Sequence, residues 1–276
     1  MPTIASILAA YSGEPTGCSA LRLAFFMGRK YDAHVTGVVW HGPSLIEDRH
    51  RAFLSRDLIT MLERREAEAV AEIRADFEQR AAEAGAAGRS SFLDLESFSD
   101  FSLADAARGF DIVVMTRRAV EAGRELFAAR PDVVALRSGR PVLVAPAEYD
   151  LSRLGDHALV AWDGKRAAAR ALADAMRILE TKAQVTVLSV GDTDPEAGFS
   201  GPGVMGLLER HGVRATRMIR PRRAGVAETI LAACDEVGAG LLVMGAYEHS
   251  KFSEDLLGGV TRTILNEARI PVLMSH

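Results

Sequence analysis

The stretch that decides the fold is Met244-Gly245-Ala246-Tyr247-Glu248-His249-Ser250, followed by Leu257-Gly258-Gly259-Val260-Thr261 and by Ile270-Pro271-Val272-Leu273. It comes after the apolar run Leu241 to Met244, which ends at a glycine. This order predicts a strand, a polar loop, a helix that opens on a glycine pair, and a final short strand. Glycines let backbone N–H groups approach an anion, and a helix start adds a favourable dipole. The loop is therefore of the kind that binds phosphate.

The same pattern occurs earlier in the chain in a weaker form. Ile112 to Met115 resembles Leu241 to Met244, and Leu8 to Gly13 resembles Leu159 to Gly164. The offset is about 150 residues at the first strand and about 130 residues at the fourth, so the chain contains one module twice. The first copy must then hold an insertion of about 20 residues between Trp40 and Ile112.

The insertion is predicted to lie in one elongated helix. The segment Arg51–Ala84 is rich in Glu, Arg and Ala, which favour helix. Its apolar residues fall roughly on one stripe, which we expect to cover the sheet of its own domain. These residues are Leu58, Met61, Leu62, Ala69, Ile73 and Phe77.

Strands alternate with helices through both copies, and the strands are almost entirely apolar. Such strands belong to parallel sheets that are covered on both faces, and right-handed crossovers then give a doubly wound arrangement. We therefore predict an α/β protein with two doubly wound, five-stranded parallel-sheet domains, residues 1–147 and 155–276, with a linker between them.

Composition narrows the class of protein. A net charge of -4 gives no reason to expect binding to nucleic acid or membrane. The two cysteines, Cys18 and Cys234, fall in helical runs of different halves, so we expect no disulfide and a reducing compartment. The apolar segment Thr3 to Tyr11 has no Lys or Arg before it, which favours a buried first strand over a signal peptide. We expect a cytoplasmic protein.

The topology predicts where a ligand would bind. In doubly wound sheets, ligands lie beyond the carboxyl ends of the strands, where the winding reverses. If the first and fourth strands of the second copy flank that point, Trp162 and Asp163 face the Gly245 loop across one crevice.

The chain resembles the universal stress protein family in its tandem form, over nearly its whole length. The resemblance rests on Ala161-Trp162-Asp163-Gly164, Met244-Gly245, Leu257-Gly258-Gly259-Val260-Thr261 and Pro271-Val272-Leu273. It implies a fold of the adenine-nucleotide-hydrolase-like class and a role in stress response. It also implies a site for ATP, with Mg²⁺ if ATP binds.

The resemblance assigns roles to individual residues of the second half. Asp163, after Trp162, would contact the adenosine, and Val190 would line the adenine pocket. The phosphate loop would begin at Met244 and Gly245. Backbone N–H groups for phosphate would come from Gly258, Gly259 and Val260.

The loop departs from the family pattern at two positions. Glu248 stands where the family has a second glycine, and Gly259 replaces a Ser or Thr. A carboxylate near a triphosphate costs on the order of a few kcal/mol in a partly desolvated site, unless Glu248 turns into solvent or Lys251 compensates its charge. Glu248→Gly is therefore expected to strengthen nucleotide binding.

The first half departs further. Ser12 stands at the position of Asp163 and Thr116 at that of Gly245, and no glycine of the loop remains there. We predict a degenerate site. Four arginines near it leave two interpretations, a loop that attracts an anion and, which we favour, a solvated basic loop. They are Arg117, Arg118, Arg124 and Arg130.

The candidate site residues also have simpler interpretations that involve no nucleotide. Trp162 is a candidate to stack on the base of the nucleotide, and a packing role at the strand end suits it equally. Asp163 suits a helix cap, Gly245 a chain turn, and the Gly258–Gly259 pair close helix packing. The spacing of His211, Glu248 and His249 matches no common metal site. We therefore expect no metal site. Ser250 and Ser253 have no partner base in the sequence, so we also expect no catalytic residue.

Three functions remain open at this stage. The first is a stress-response regulator that binds ATP or another adenine nucleotide in the C-terminal half, where binding orders the loop 246–257. The alternative is a structural or interaction module with vestigial pockets, and the third is an enzyme of the wider fold class. By resemblance, Val142–Val144 and Val272–Met274 pair within the chain as an intramolecular pseudo-dimer. An unidentified protein partner and a homodimer are further expectations.

Overall fold

The computed structural model describes residues 4–13, 19–41, 55–96, 102–116, 130–147, 149–222, 225–246 and 259–276. In the first half of this part the elements are β1 (Ser6–Ala10), α1 (Ser19–Tyr31), β2 (His34–His41), α2 (Arg56–Glu83), β3 (Ser90–Glu96), α3 (Ser102–Ala107), β4 (Ile112–Thr116), α4 (Pro131–Arg137) and β5 (Val142–Ala145). In the second half they are β6 (His157–Ala161), α5 (Arg166–Leu179), β7 (Gln184–Val190), α6 (Gly203–Arg210), β8 (Ala215–Arg220), α7 (Val226–Val237), β9 (Leu241–Gly245), α8 (Gly259–Glu267) and β10 (Val272–Ser275).

The ten strands form one continuous sheet in the order β3-β2-β1-β4-β5-β10-β9-β6-β7-β8. Within each half all pairs are parallel, as the apolar strands predicted. The two halves meet where β5 and β10 pair antiparallel, with Leu143 opposite Leu273. Both strands are thereby removed from the edge, since each has a partner on both sides. The α/β, doubly wound prediction is confirmed.

Helices cover both faces of the sheet and define two hydrophobic clusters. The first cluster lies under α1, α2, α5 and α6, and the second lies under α3, α4, α7 and α8. Alternate residues of each strand enter alternate clusters, as in β9, where Val243 enters the first and Met244 the second. This explains why the central strands are apolar at nearly every position.

The long helix α2 accounts for the insertion. It has 28 residues, whereas its counterpart α6 has 8. Its buried residues are Val70, Ile73, Phe77 and Ala81, all in its second half. The prediction that the buried stripe begins at Leu58 is wrong, since Met61 is 46% exposed and Leu58 is only half-buried.

The position of Glu66 explains this difference. Its Oε1 lies 2.9 Å from Nδ1 of His41, the last residue of β2. Because α2 runs back along the strands, the ten residues that precede Glu66 in α2 extend about 15 Å past the last described residue of β2, and none of these ten is fully buried. Asp94 of β3 contacts the other ring nitrogen of His41 at 2.8 Å, so this buried histidine joins three elements.

Further contacts cross between the halves. Lys30 at the end of α1 donates from Nζ to Oγ1 of Thr181 at 2.9 Å. Within the second half, Lys182 donates from Nζ to the carbonyl of Gly155 at 2.6 Å, and burial lowers the pKa of its ammonium group. None of the described helices is both long and apolar enough to cross a membrane.

Candidate functional site

The predicted crevice lies at the carboxyl ends of β9, β6 and β7, which are neighbours in the sheet. Val160 of β6 pairs with Val243 of β9, so the residues that follow these two strands leave the sheet side by side. The chain passes from β6 through α5 to β7 on one side and enters β9 from α7 on the other. The winding therefore reverses here, as the sequence predicted.

Asp163 stabilises the turn that follows β6. Its Oδ1 accepts the N–H of Lys165 at 3.0 Å, and Oδ2 lies 3.7 Å from Nζ of Lys165. Helix α5 has Lys165 itself as its N-cap residue, with no side-chain cap, so Asp163 supports the turn and not the helix end. The side chain is 53% exposed, which leaves it open to a ligand.

Trp162 is held by its backbone and by packing. Its N–H donates to the carbonyl of Leu188 at 2.8 Å, and its own carbonyl accepts from Oγ of Ser189 at 2.9 Å. The indole packs against the first cluster, and its Nε1 is buried with no hydrogen-bond partner in the part of the chain described. This placement matches the packing interpretation of Trp162.

Gly245 is set by the approach of α5 to the sheet. A β-carbon at this position would lie 2.6 Å from the carbonyl carbon of Ala167 and 2.6 Å from the nitrogen of Ala168. Real β-carbons do not come so close to backbone atoms, so only glycine fits without moving the helix. In the sequence, a glycine directly after a strand indicated that Gly245 has a special role. Only the structure shows that this role is close packing against the first turn of α5.

Val190 and Met244 lie on the opposite face from Gly245. Met244 is 4% exposed in the second cluster, and the half-buried Val190 packs against the same cluster. Helix α8 begins at Gly259, whose β-carbon position has no atom of the described residues within 4 Å, and Val260 follows half-buried. Among the predicted site residues, Gly258 lies outside the described residues, as does Glu248.

The first half repeats the backbone but not the crevice. The N–H of Tyr11 donates to the carbonyl of Val38 at 2.9 Å, which matches the contact of Trp162. Trp40 stands where Val190 stands in the repeat, and its Nε1 donates to Oγ of Ser102 at 2.7 Å. An indole thus extends from β2 to α3 at the position where the second half carries a small side chain.

Trp40 was not predicted to be part of this difference. Aligning the two copies of the module places Trp40 opposite Val190, and this difference in side-chain size could have identified it. The basic loop of the first half, including Arg117, Arg118 and Arg124, lies outside the described residues. Arg130 is described, and its Nη2 lies 2.8 Å from Oδ2 of Asp132.

No group of three potential metal ligands occurs among the described His, Cys, Asp and Glu residues. His211 instead donates from Nδ1 to Oε1 of Glu180 at 3.0 Å, and this hydrogen bond is the main cause that lowers the pKa of Glu180. Cys234 is buried in α7, and burial raises the pKa of its thiol to about 12. A thiol of that kind is unreactive at neutral pH.

A second feature missed from the sequence is the set of contacts made by the loop that follows β7, although the Gly-, Pro- and Asp-rich segment 191–203 itself predicts a loop. Pro195 of this loop lies against the turn after β6, because a β-carbon on Gly164 would be 3.2 Å from Cβ of Pro195. The loop carries Asp194 and Glu196, and both contact Arg217 of β8. The hydrogen bond that Arg217 donates to Glu196, together with the charge of Asp194, raises the pKa of the Arg217 guanidinium.

Comparison with known proteins agrees with this architecture. The model of the universal stress protein family matches residues 156–276. The solved structure of a universal stress protein from Archaeoglobus fulgidus DSM 4304 superposes with a TM-score of 0.70 at 14% identity, covering 98% of this chain and 95% of that chain. A functionally unknown protein from Pseudomonas aeruginosa PAO1 superposes with a TM-score of 0.62 at 16% identity, covering 99% of this chain and 92% of that chain.

The two solved structures match both halves of the chain. At 14% and 16% identity they establish the fold alone. None of the curated proteins compared with the chain matches it.

Proposed function

Through its second half the chain belongs to the universal stress protein family, and its first half repeats that fold, so we propose that it is a tandem stress-response regulator that binds an adenine nucleotide in the second half. ATP with Mg²⁺ is the proposed ligand. Occupancy of the site, and not rapid hydrolysis, carries the signal to a protein partner. A cytoplasmic location belongs to the same proposal.

The observation that carries the proposal is the juxtaposition of three strand ends. Asp163 follows β6, Val190 ends β7 and Gly245 ends β9, and these strands are adjacent in the order β9-β6-β7. A carboxylate that is more than half exposed thus lies between an apolar side chain and a glycine turn. A nucleoside needs an apolar surface for its base and a hydrogen-bond acceptor for its ribose, and this edge of the sheet offers both.

The described residues fit such a ligand at its two ends. The Asp163 carboxylate would accept hydrogen bonds from ribose hydroxyl groups, and Val190 would contact the base. The first N–H groups of α8, from Gly259 onward, would face phosphate, because helix starts have unpaired donors and a positive dipole end. Mg²⁺ would be held mainly by phosphate oxygens and water, since this ion keeps several waters in nucleotide sites.

One observation favours a second function, a structural or interaction module without nucleotide. Gly245 is required by α5 and Asp163 is engaged by Lys165, so both residues have roles in the fold itself. The first-half crevice contains Trp40 in place of a small residue. In this alternative both pockets are vestigial and the surface recruits partners.

Ligand-linked stabilisation separates the two functions. For one site, free ATP at about 100 times its Kd adds about 2.7 kcal/mol to the free energy of unfolding. We expect a thermal shift with ATP and Mg²⁺, and native mass spectrometry should show one nucleotide per chain. Absence of any shift with ATP or ADP at millimolar concentration would favour the module. Two bound nucleotides would contradict the assignment of the site to the second half alone.

Asp163→Ala tests the position of the site. The loss of a charged hydrogen-bond acceptor is expected to raise the Kd for ATP about tenfold, which is about 1.4 kcal/mol. Ser12→Ala, at the equivalent turn of the first half, is the matched control and should leave the Kd unchanged. Isothermal titration calorimetry measures both, and equal effects in the two variants would show that this crevice does not hold the nucleoside.

A further inference from the structure

One arginine of the edge strand holds two carboxylates of the loop between β7 and α6. Arg217 in β8 donates from Nη2 to Oε2 of Glu196 at 2.6 Å and from Nη1 to Oδ2 of Asp194. The exposed fractions of the Arg217, Asp194 and Glu196 side chains are 24%, 27% and 17%. These contacts are therefore better shielded than a surface ion pair, and the planar guanidinium suits two carboxylates at once.

The same carboxylates organise the loop internally. Oδ1 of Asp194 accepts the N–H of Glu196 at 2.9 Å, and the carbonyl of Asp194 accepts the N–H of Ala197 at 2.9 Å. Oε1 of Glu196 accepts the N–H of Val204 at 2.9 Å, in the first turn of α6. Arg217 is thus connected through Glu196 to the start of the helix.

Gly203 permits this arrangement. Its φ is +57°, and a β-carbon there would lie 2.4 Å from Oε2 of Glu196. A side chain at this position would push the Glu196 carboxylate away from both the helix and Arg217.

The loop connects the two ends of the predicted nucleoside pocket. It begins at Gly191, directly after Val190, where the N–H of Gly191 donates to the carbonyl of Arg220 at 2.8 Å. It then returns so that Pro195, between the two carboxylates, lies against Gly164, the residue after Asp163. The segment 191–203 therefore borders the crevice on the side away from Gly245.

We propose that Arg217 is a positioning residue that holds the loop 191–203 as the nucleoside-side wall of the crevice. This inference rests on the proposed function, since it assigns the loop to the same site. Without the guanidinium, Asp194 and Glu196 repel each other, and residues 194–196 lose the side-chain contacts that hold them to β8. The base and ribose then lose a preformed wall, whereas the phosphate end, at α8, is unaffected.

The first experiment needs no nucleotide. Hydrogen exchange of the intact chain, followed by mass spectrometry, compares the wild type with Arg217→Gln. We expect amide exchange in 194–204 to become at least about tenfold faster, while β6 and β9 keep their protection. Arg220→Gln is the matched control, because Arg220 lies in the same strand and its side chain pairs with Glu236 of α7 at 2.5 Å and not with Asp194 or Glu196. Unchanged exchange in Arg217→Gln, or equal acceleration in Arg220→Gln, would overturn the proposal.

The second experiment measures binding of adenosine and of ATP by calorimetry. Arg217→Gln should weaken both ligands by the same factor, about tenfold, and Arg220→Gln should weaken neither. Arg217→Lys keeps the charge but not the planar fork, so it should restore part of the affinity. A loss confined to ATP, or no loss despite a mobile loop, would contradict the assigned wall.

The two experiments separate failure of this inference from failure of the proposed function. If the wild type binds neither adenosine nor ATP, the proposed nucleotide site is wrong and the assignment of the loop as its wall is overturned with it. The exchange data still decide whether Arg217 orders the loop.

Discussion

Gly245→Val is expected to lower the free energy of unfolding by about 3 kcal/mol and to abolish binding of ATP. The added side chain would meet the backbone of Ala167 and Ala168, and a helix backbone yields less easily than a flexible side chain. Helix α5 would have to move away from β9, and the turn that carries Asp163 would move with it. Urea denaturation followed by circular dichroism measures the change in stability.

Gly259→Ala is the matched control for the glycine loop. In the part of the chain that the structure describes, no atom lies within 4 Å of its β-carbon position, so we expect the free energy of unfolding to change by less than about 0.5 kcal/mol. Any loss of ATP binding in this variant would then come from a lost contact with the ligand and not from a loss of stability. Unchanged stability in Gly245→Val would show that α5 does not approach β9 as closely as described, and would end the structural explanation of this glycine.

Phe77→Ala is expected to lower the free energy of unfolding by about 3–5 kcal/mol, the usual cost of truncating a buried phenylalanine. Phe77 is 1% exposed and contacts the rings of Phe25 and Phe92, with centroids 5.6 and 5.4 Å away. It thereby connects α2 to α1 and to β3. Denaturation with urea, analysed for both midpoint and slope, gives the loss.

Phe199→Ala serves as the control for the loss of a phenyl ring. Phe199 is 66% exposed, so its removal should change the free energy of unfolding by no more than about 0.5 kcal/mol. A small effect in Phe77→Ala would mean that α2 is not needed to hold the edge of the first half. Because Asp163 lies in the other half, Phe77→Ala should leave the Kd for ATP unchanged under conditions where the chain is folded.

Several features of the fold followed directly from residue patterns. The repeat of Ile112–Met115 and Leu241–Met244 predicted two copies of one module, and these runs are β4 and β9, which occupy equivalent places in the sheet. The change in repeat offset predicted an insertion, and it lies in α2. Such patterns are local, so a strand buried on both faces or a long helix shows its period in the sequence itself.

The buried part of α2 could not be predicted in the same way. Leu58 and Phe77 follow the same helical spacing, but only Phe77 lies above the sheet. Which turns of a helix are covered depends on where the strand beneath it ends. The contact of Glu66 with His41 marks where β2 ends beneath α2, and these two residues are 25 positions apart in the sequence.

By itself the sequence determined that this protein has two copies of one α/β module, that the second copy has Asp163, Gly245 and Gly258 at the positions of the family pattern, and that the first copy has other residues there. Only the tertiary structure decided that Gly245 packs on α5, that Asp163 supports a turn, and that Arg217 holds the loop beside it. The physical reason is that strand periodicity and glycine positions are patterns among residues close together in the sequence. Close approaches and ion pairs instead join residues far apart in sequence, and they exist only after the sheet has brought its strand ends together.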